Sequence, residues 1–417
     1  MSSEELAGWL RLTLTTGVGN DAARRLLAAF GLPQAIFEQS DSALRQLLTP
    51  AQVKAVQTEP PGLSALLRTT QDWLAAQADP ALGGRMIVTL GDPAYPLSLL
   101  ATDDPPLMLY LLGQVQALAP QSAHQRSPVI EPAETSDGRG DAANGWPARA
   151  IAMVGSRNPT PQGAENARQF ARSFSAAGLT VVSGLALGVD GAAHDGALSA
   201  WPDAATADPS GRICTVAVIG TGIDRVYPRQ HHELARRIAR QGLIVSEYPL
   251  GTPPLPANFP KRNRLIAGLS QGTLVIEAAL QSGSLITARL TSEQGKDVFA
   301  VPGSIHNPQS RGCHALIRQG AKLVETAQDV LEELRWPATV VAIESEAASA
   351  DTTSARGTLD TEDEVLRALG SDPVGLDALL ARTGLDTPRL QARLLELELD
   401  GHVARLPGGL WQRMARA

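Results

Sequence analysis

The sequence predicts an α/β protein: a doubly wound, mostly parallel sheet, with a helical region ahead of it and a three-helix unit with a β-wing behind it. Three observations predict this. Between residues 151 and 301, short apolar runs alternate with amphipathic stretches, and Gly or Ser-Gly repeatedly ends the runs. Leu and Ala recur at helical spacing through residues 1–80. The C-terminal stretch carries three helical patterns and then a Gly-Gly turn.

In the first region, Leu26, Leu27 and Phe30, then Leu44, Leu47 and Leu48, mark helix faces. Residues 151–154 form a short apolar strand that Gly155 ends, and residues 162–177 form a helix that Gly178 stops. The next strand covers 179–182 and ends at Ser183-Gly184. A helix over 189–198 follows, then a strand over 213–219 ended by Gly220-Thr221-Gly222. A helix over 231–240 and a strand over 243–245 come next. The series closes with a strand over 273–276, a helix over 285–294 and a strand over 298–301. Apolar strands alternating with amphipathic helices give parallel pairing with helices on both faces.

Further on, helices are expected over 362–369, 376–383 and 388–400, the last capped by Thr387 with Pro388 in its first turn. Residues 402–406 and 410–413, joined by Pro407-Gly408-Gly409, read as a hairpin. Three helices plus such a wing is the winged-helix pattern. Stretches rich in Ala, Pro, Ser and Gly over about 114–149 and 337–358 read as a mobile insertion and a tether, and a polar insert covers about 201–211. The expected domains are 1–80, 81–336 and 359–417, with the linker at 337–358.

Composition narrows the function classes. Hydrophobic residues make up 43% and charged residues 19%, enough apolar material for sizeable cores. The formal net charge of −7 excludes a protein that coats nucleic acid with its whole surface, but not one with a local basic groove. Cys214 and Cys313 are far apart and lack CxxC spacing, so neither a disulfide framework nor a zinc site is supported. A reduced, cytoplasmic setting is expected. No signal-peptide pattern follows Met1, and no apolar run approaches the roughly 18 residues a membrane span needs.

Ligands of parallel sheets gather at the C-terminal strand ends. Here those ends read Gly155-Ser156-Arg157, Ser183-Gly184 and Gly220-Thr221-Gly222, with Ser282-Gly283-Ser284 opening the helix after the strand at 273–276. Glycine lets a backbone approach a ligand, and helix N-termini offer amides to phosphate. A dinucleotide cofactor is disfavoured. The first turn lacks GxGxxG, with Arg157 and Pro159 where small residues would be needed, and the second strand ends without the acidic residue that meets a ribose. No Walker lysine motif supports ATP hydrolysis.

The strongest local signal lies in residues 258–270, where Lys261, Arg262 and Arg264 cluster beside Phe259, with Asn263 adding an amide. An unpaired nucleic-acid strand needs cations along its phosphates and a ring on which a base stacks. A solvated basic loop with Phe259 plugged into the core is the competing reading. Arg157, facing the same sheet edge, favours the groove.

These motifs resemble the DNA-processing protein A (DprA/Smf) family. The likeness rests on Val154-Gly155-Ser156-Arg157, the run from Ser183 to Asp190 with Ala193-His194, Gly220-Thr221-Gly222-Ile223-Asp224 with Tyr227-Pro228, the Phe259–Ser270 stretch, Glu277-Ala278-Ala279 with Ser282-Gly283-Ser284 and Thr287, and Val301-Pro302-Gly303. It spans most of residues 85–335. The resemblance implies an extended Rossmann-like fold and binding of single-stranded DNA that is handed to the RecA recombinase during natural transformation. It also implies no catalysis, no cofactor and a homodimer through the Rossmann-like domain. Carried over, the DNA-contacting positions are Gly155, Ser156, Arg157, Ser183, Gly184, Phe259, Lys261, Arg262, Asn263 and Arg264. A secondary phosphate pocket would use Gly220, Glu277, Ser282, Gly283, Ser284 and Thr287. One departure is Leu187, where some members carry Lys.

Thr16-Gly17-Val18-Gly19-Asn20 looks like a helix-hairpin-helix turn, or a plain Gly-rich turn between packed helices. The third helix of the winged unit has Arg389 and Arg393 but also Glu396, Glu398 and Asp400, which favours a protein contact over duplex reading. Asp190 and His194, at i and i+4, read as a structural hydrogen-bonded pair. His231 and His232 are adjacent, so on a helix they point to different faces and form no two-His metal site. Glu277 sustains one enzymatic alternative, cleavage of a nucleotide N-glycosidic bond; otherwise it bonds nearby amides.

Overall fold

Six helices precede the sheet: α1 (Ser3–Leu14), α2 (Asn20–Phe30), α3 (Pro33–Phe37), α4 (Asp41–Leu44), α5 (Pro50–Gln57) and α6 (Leu63–Ala75). Their starts are written locally. Ser2 caps α1 by accepting from the Glu5 amide, and Thr49 with Gln52 forms a capping box on α5. Trp9, Leu10, Leu26, Ile36 and Val56 are almost wholly buried and hold the helices together. This computed structural model describes residues 1–76, 82–118, 144–201, 213–336, 363–369, 373–406 and 408–414.

The sheet has nine strands with order β1-β2-β6-β5-β4-β3-β7-β8-β9. They are β1 (Gly84–Thr89), β2 (Met108–Gly113), β3 (Ala150–Val154), β4 (Thr180–Ser183), β5 (Thr215–Val218), β6 (Leu243–Ser246), β7 (Gly272–Val275), β8 (Asp297–Ala300) and β9 (Lys322–Leu323). The helices α7 (Leu97–Leu100), α8 (Pro161–Ala176), α9 (Val189–Ser199), α10 (His232–Gln241), α11 (Asn258–Gly268), α12 (Ser284–Glu293), α13 (Arg311–Arg318) and α14 (Ala327–Glu333) surround it. From β3 to β9 every pairing between neighbours is parallel, and β3, β4, β5, β6 and β7 are buried at every position, with mostly apolar side chains at their centres. Strands that are buried on both faces leave no room for alternation, which is why these runs read as continuous apolar segments.

Two features were not legible in the periodicity. β1 and β2 pair antiparallel and add to β6 at one edge. The ends of the expected 114–149 insertion are packed against the sheet domain: Val115, Leu118 and Trp146 are buried, and Trp146 donates to the Ala94 carbonyl at 2.8 Å. The remainder of that stretch, residues 119–143, lies outside the described residues, as do the expected tether at 337–358 and all but residue 201 of the insert at 201–211.

The C-terminal unit contains α15 (Glu364–Leu369), α16 (Leu376–Thr383) and α17 (Thr387–Leu399), with β10 (Val374–Gly375), β11 (Val403–Leu406) and β12 (Leu410–Arg413) in the order β10-β12-β11. This is a winged helix around Leu369, Leu379, Leu390 and Leu394. The cap of α17 differs from expectation by one residue. Asp386, not Thr387, accepts the Arg389 amide at 2.9 Å, because a carboxylate in extended backbone reaches the third amide while Thr387 is already helical.

Candidate nucleic-acid interface

Four strand ends, from β3, β4, β5 and β7, converge on a cleft of about 700 Å³ walled by α11 and the N-terminus of α12. At the end of β3, Gly155 packs under Val189 and the Glu277 carbonyl, where a side chain would not fit. The Ser156 amide donates to that carbonyl at 2.6 Å, and the Ser156 carbonyl accepts from Val189 at the start of α9. These bonds fix the turn and leave Arg157 exposed at the mouth.

The basic segment is a helix, not a loop. Phe259, Arg262, Asn263 and Ile266 line the cleft, which is the i, i+3, i+4, i+7 face of α11. Its start is pinned to β5: the Asn258 Nδ2 donates to the Gly220 carbonyl at 3.1 Å, and the Phe259 ring lies over Gly220. Phe259 is half-buried and not sunk in the core. Its ring sits 5.5 Å from that of Tyr227, and the Arg157 guanidinium stands 5.8 Å from its centroid. Tyr227 is 47% exposed. A base can therefore stack on an aromatic ledge with a cation beside it.

Arg262 is 3% exposed. Its Nη1 donates to the Val218 carbonyl, and its guanidinium packs on Gly184 so closely that a Cβ there would collide with it. Burial pulls its pKa down to about 10, with Asp190 pushing the other way, so it stays charged at neutral pH. Asp190 itself is raised by burial, which Arg262 partly offsets, and its Oδ2 accepts from the Gly184 and Ala186 amides.

The expected Asp190–His194 hydrogen bond is not formed. His194 is fully buried with Nδ1 2.7 Å from the Thr215 hydroxyl, which itself donates to the Val181 carbonyl, so Nδ1 is the donor. Burial first, then the charges of His231 and Arg262, lower its pKa to about 3. Glu277 accepts from the Thr160 amide and hydroxyl at 2.9 and 2.7 Å and lies against Gly163, so it tethers the start of α8. Both of its carboxylate oxygens are thus engaged by Thr160, as the amide-bonding reading expected.

A family profile described as DNA recombination-mediator protein A matches residues 138–335, and a DprA winged helix domain profile matches residues 347–409. Protein Smf of Escherichia coli is 39% identical over 326 residues, covering 78% of this chain and 76% of that protein. The chain belongs to the DprA/Smf family of DNA-processing proteins. Protein Smf of Synechocystis is 35% identical over 351 residues, covering 78% of this chain and 79% of that protein. The X-ray structure of DNA processing protein A from Streptococcus pneumoniae matches with a TM-score of 0.58 and 31% identity, covering 80% of this chain and 98% of that one.

Of the positions that the DprA/Smf resemblance implied, the cleft brings together Gly155, Ser156, Arg157, Phe259, Arg262, Asn263, Ser282, Gly283, Ser284 and Thr287. Gly184 lies behind the Arg262 guanidinium, and the buried Ser183 hydroxyl donates to the Met153 carbonyl. Two of the expected cations lie outside the cleft lining. Lys261 borders a neighbouring hollow with Val18 and Asn20. Arg264 points away from the cleft and pairs with Glu247 and Asp104, because its helical position is two residues round from Arg262. Tyr227 was missed as a ledge residue, although Tyr227-Pro228 stood out in the sequence. The candidate helix-hairpin-helix turn is engaged elsewhere: Asn20 and Arg24 both donate to Asp104, and Gly17 accepts from Gln52. Leu187 is 40% exposed on the turn before α9. Among the described residues no cluster of three His, Cys, Asp or Glu could hold a metal, and no helix is long and apolar enough to cross a membrane.

Proposed function

We propose that this recombination mediator binds single-stranded DNA across the cleft and delivers it to RecA during DNA uptake and recombination, acting as a homodimer. The observation that carries the reading is the ledge of Tyr227 and Phe259 flanked by Arg157 at the mouth of a cleft floored by the buried Arg262. Stacking on such a ledge contributes roughly 1–3 kcal/mol per base and is tolerant of sequence. The cations supply the phosphate attraction, which salt screens. Delivery to RecA and dimerisation rest on the family resemblance. So does the DNA-contacting role of the residues that line the cleft.

Filter-binding titration of oligothymidine and of a matching duplex at several salt concentrations tests the reading. Tight, salt-sensitive binding of the single strand with weaker duplex binding is expected. Salt-independent binding, or equal affinity for duplex, defeats it. RecA filament assembly on coated single strands, followed with and without this protein, tests the delivery step.

A further inference from the structure

The winged helix presents one face that its own core does not use. Along α17, Leu390, Leu394 and Leu397 are buried in the core of that unit. On the opposite side of the helix, Pro388, Ala392, Leu395 and Leu399 are exposed, the last two at 55% and 80%. Their spacing of i, i+4, i+7, i+11 is the 3.5-residue repeat of a seam between two helices. Exposed apolar side chains scattered singly are ordinary, but a stripe along a thirteen-residue helix marks a contact surface.

The polar residues beside the stripe indicate what covers it. Arg389 and Glu396 flank it on one side, and Gln391 and Glu398 flank it on the other. A second α17 laid parallel would set Arg389 against Arg389 and Glu396 against Glu396. Laid antiparallel, with Ala392 facing Leu395 and Pro388 facing Leu399, it brings Arg389 beside Glu396 of the second copy and Gln391 beside Glu398 of the second copy. Two-fold symmetry makes each of these pairs twice. The Arg389 side chain is 79% exposed and meets Asp386 at 3.7 Å, so it can turn to a partner, and Glu396 holds Arg393 through one oxygen, Oε2. A nucleic acid would bring its phosphates against Glu396 and Glu398 and leave the leucines unused.

We propose that α17 is a self-association face, on which the winged helices of two copies pair antiparallel along this seam. The contact is separate from a dimer made through the Rossmann-like domain, and it does not depend on the strand reading. Four side chains from each helix bury less than the roughly 1,200 Å² of a stable interface. The pairing is therefore weak alone and takes effect where chains are concentrated or already joined, linking them into larger assemblies.

Sedimentation velocity of the full chain over a range of concentrations tests the pairing. The mean mass should rise with concentration, and Leu395→Glu should about halve the mass reached at the upper end. Arg389→Glu and Glu396→Arg should each weaken association roughly fivefold, because each sets like charges together twice. Mixed in equal amounts, the R389E and E396R chains place opposite charges at every flanking pair and should associate as the parent does. These positions are exposed, so folding is not at stake. A mass that does not rise with concentration, a mass unaltered by L395E, or no rescue on mixing overturns the proposal. Loss of oligothymidine binding by L395E at unchanged mass also overturns it and assigns the face to nucleic acid.

Cysteine cross-linking reads the orientation. Cys214 and Cys313 are buried and do not compete. Under mild oxidation, an Ala392→Cys chain mixed with a Leu395→Cys chain should cross-link at least about threefold more than either chain alone. Equal cross-linking by the single variants would mean parallel pairing and overturns the antiparallel seam.

Discussion

Arg262 and Arg264 stand two residues apart in one helix and meet opposite surroundings. Arg262 lies under the cleft, packed on Gly184, with one N–H spent on the Val218 carbonyl and another still free. Arg264 is enclosed by Glu247 and Asp104. The same Asp104 accepts from Arg24 and Asn20, so this second cluster joins the N-terminal helices to the sheet domain. Burial drives the Asp104 carboxyl upward, but the bond from Arg24 and the charge of Arg264 outweigh it, and its pKa falls below the ordinary value. A basic run on a helix is thus two sites of different kinds, one open to a ligand and one closed within the fold.

The largest expected effect breaks the first site. Arg262→Ala leaves Asp190 buried with its main balancing charge removed, and should cost about 3–5 kcal/mol of stability as well as strand binding. Urea denaturation measures it, and a loss below about 1 kcal/mol would mean that Arg262 does not balance the site. Arg264→Ala strands Glu247, whose side chain is 6% exposed, and should cost about 2–4 kcal/mol. At a temperature where the variant remains folded, its oligothymidine affinity should stay within about twofold of the parent. A larger loss would show that Arg264 reaches the strand.

Phe259→Ala separates the ledge from the charges. It should weaken oligothymidine by about 1–3 kcal/mol while leaving the salt slope unchanged. A reduced salt slope would mean that the ring acts only by placing Arg157. A pH-dependent effect concerns His194, which Arg262 helps to keep neutral. Its folded pKa of about 3 lies below the ordinary 6.5, so between these values the unfolded chain binds the extra proton. Above about pH 6.5 neither state is protonated and the residue adds no pH dependence. As pH falls below that, stability should decline by about 1.4 kcal/mol per pH unit from this group alone. His194→Gln should flatten the slope between the two values; an unchanged slope would assign the pH dependence to other groups.

Much of this was legible in the chain. The β3–β8 strands and the winged helix announced themselves through apolar runs and turn residues, because burial on both faces demands continuous hydrophobicity. The Gly155, Gly184 and Gly220 positions were legible as close approaches. The split of α11 was recoverable from the spacing of Phe259, Arg262, Asn263 and Ile266, but polar residues on that face disguised the helix as a loop. β1 and β2 were hidden because their place at the sheet edge depends on pairing with β6, a partner more than a hundred residues away.

By itself, the sequence determined which residue types could meet a phosphate or a base, and that glycine-ended strands would carry them to one edge of a parallel sheet. Only the tertiary structure decided which cations remain available. Charge is a property of a residue, but availability depends on whether a carboxylate or a carbonyl has already been folded against it. That pairing is set by long-range packing between Arg264, Glu247 and Asp104 on one side, and between Arg262, Gly184 and Asp190 on the other.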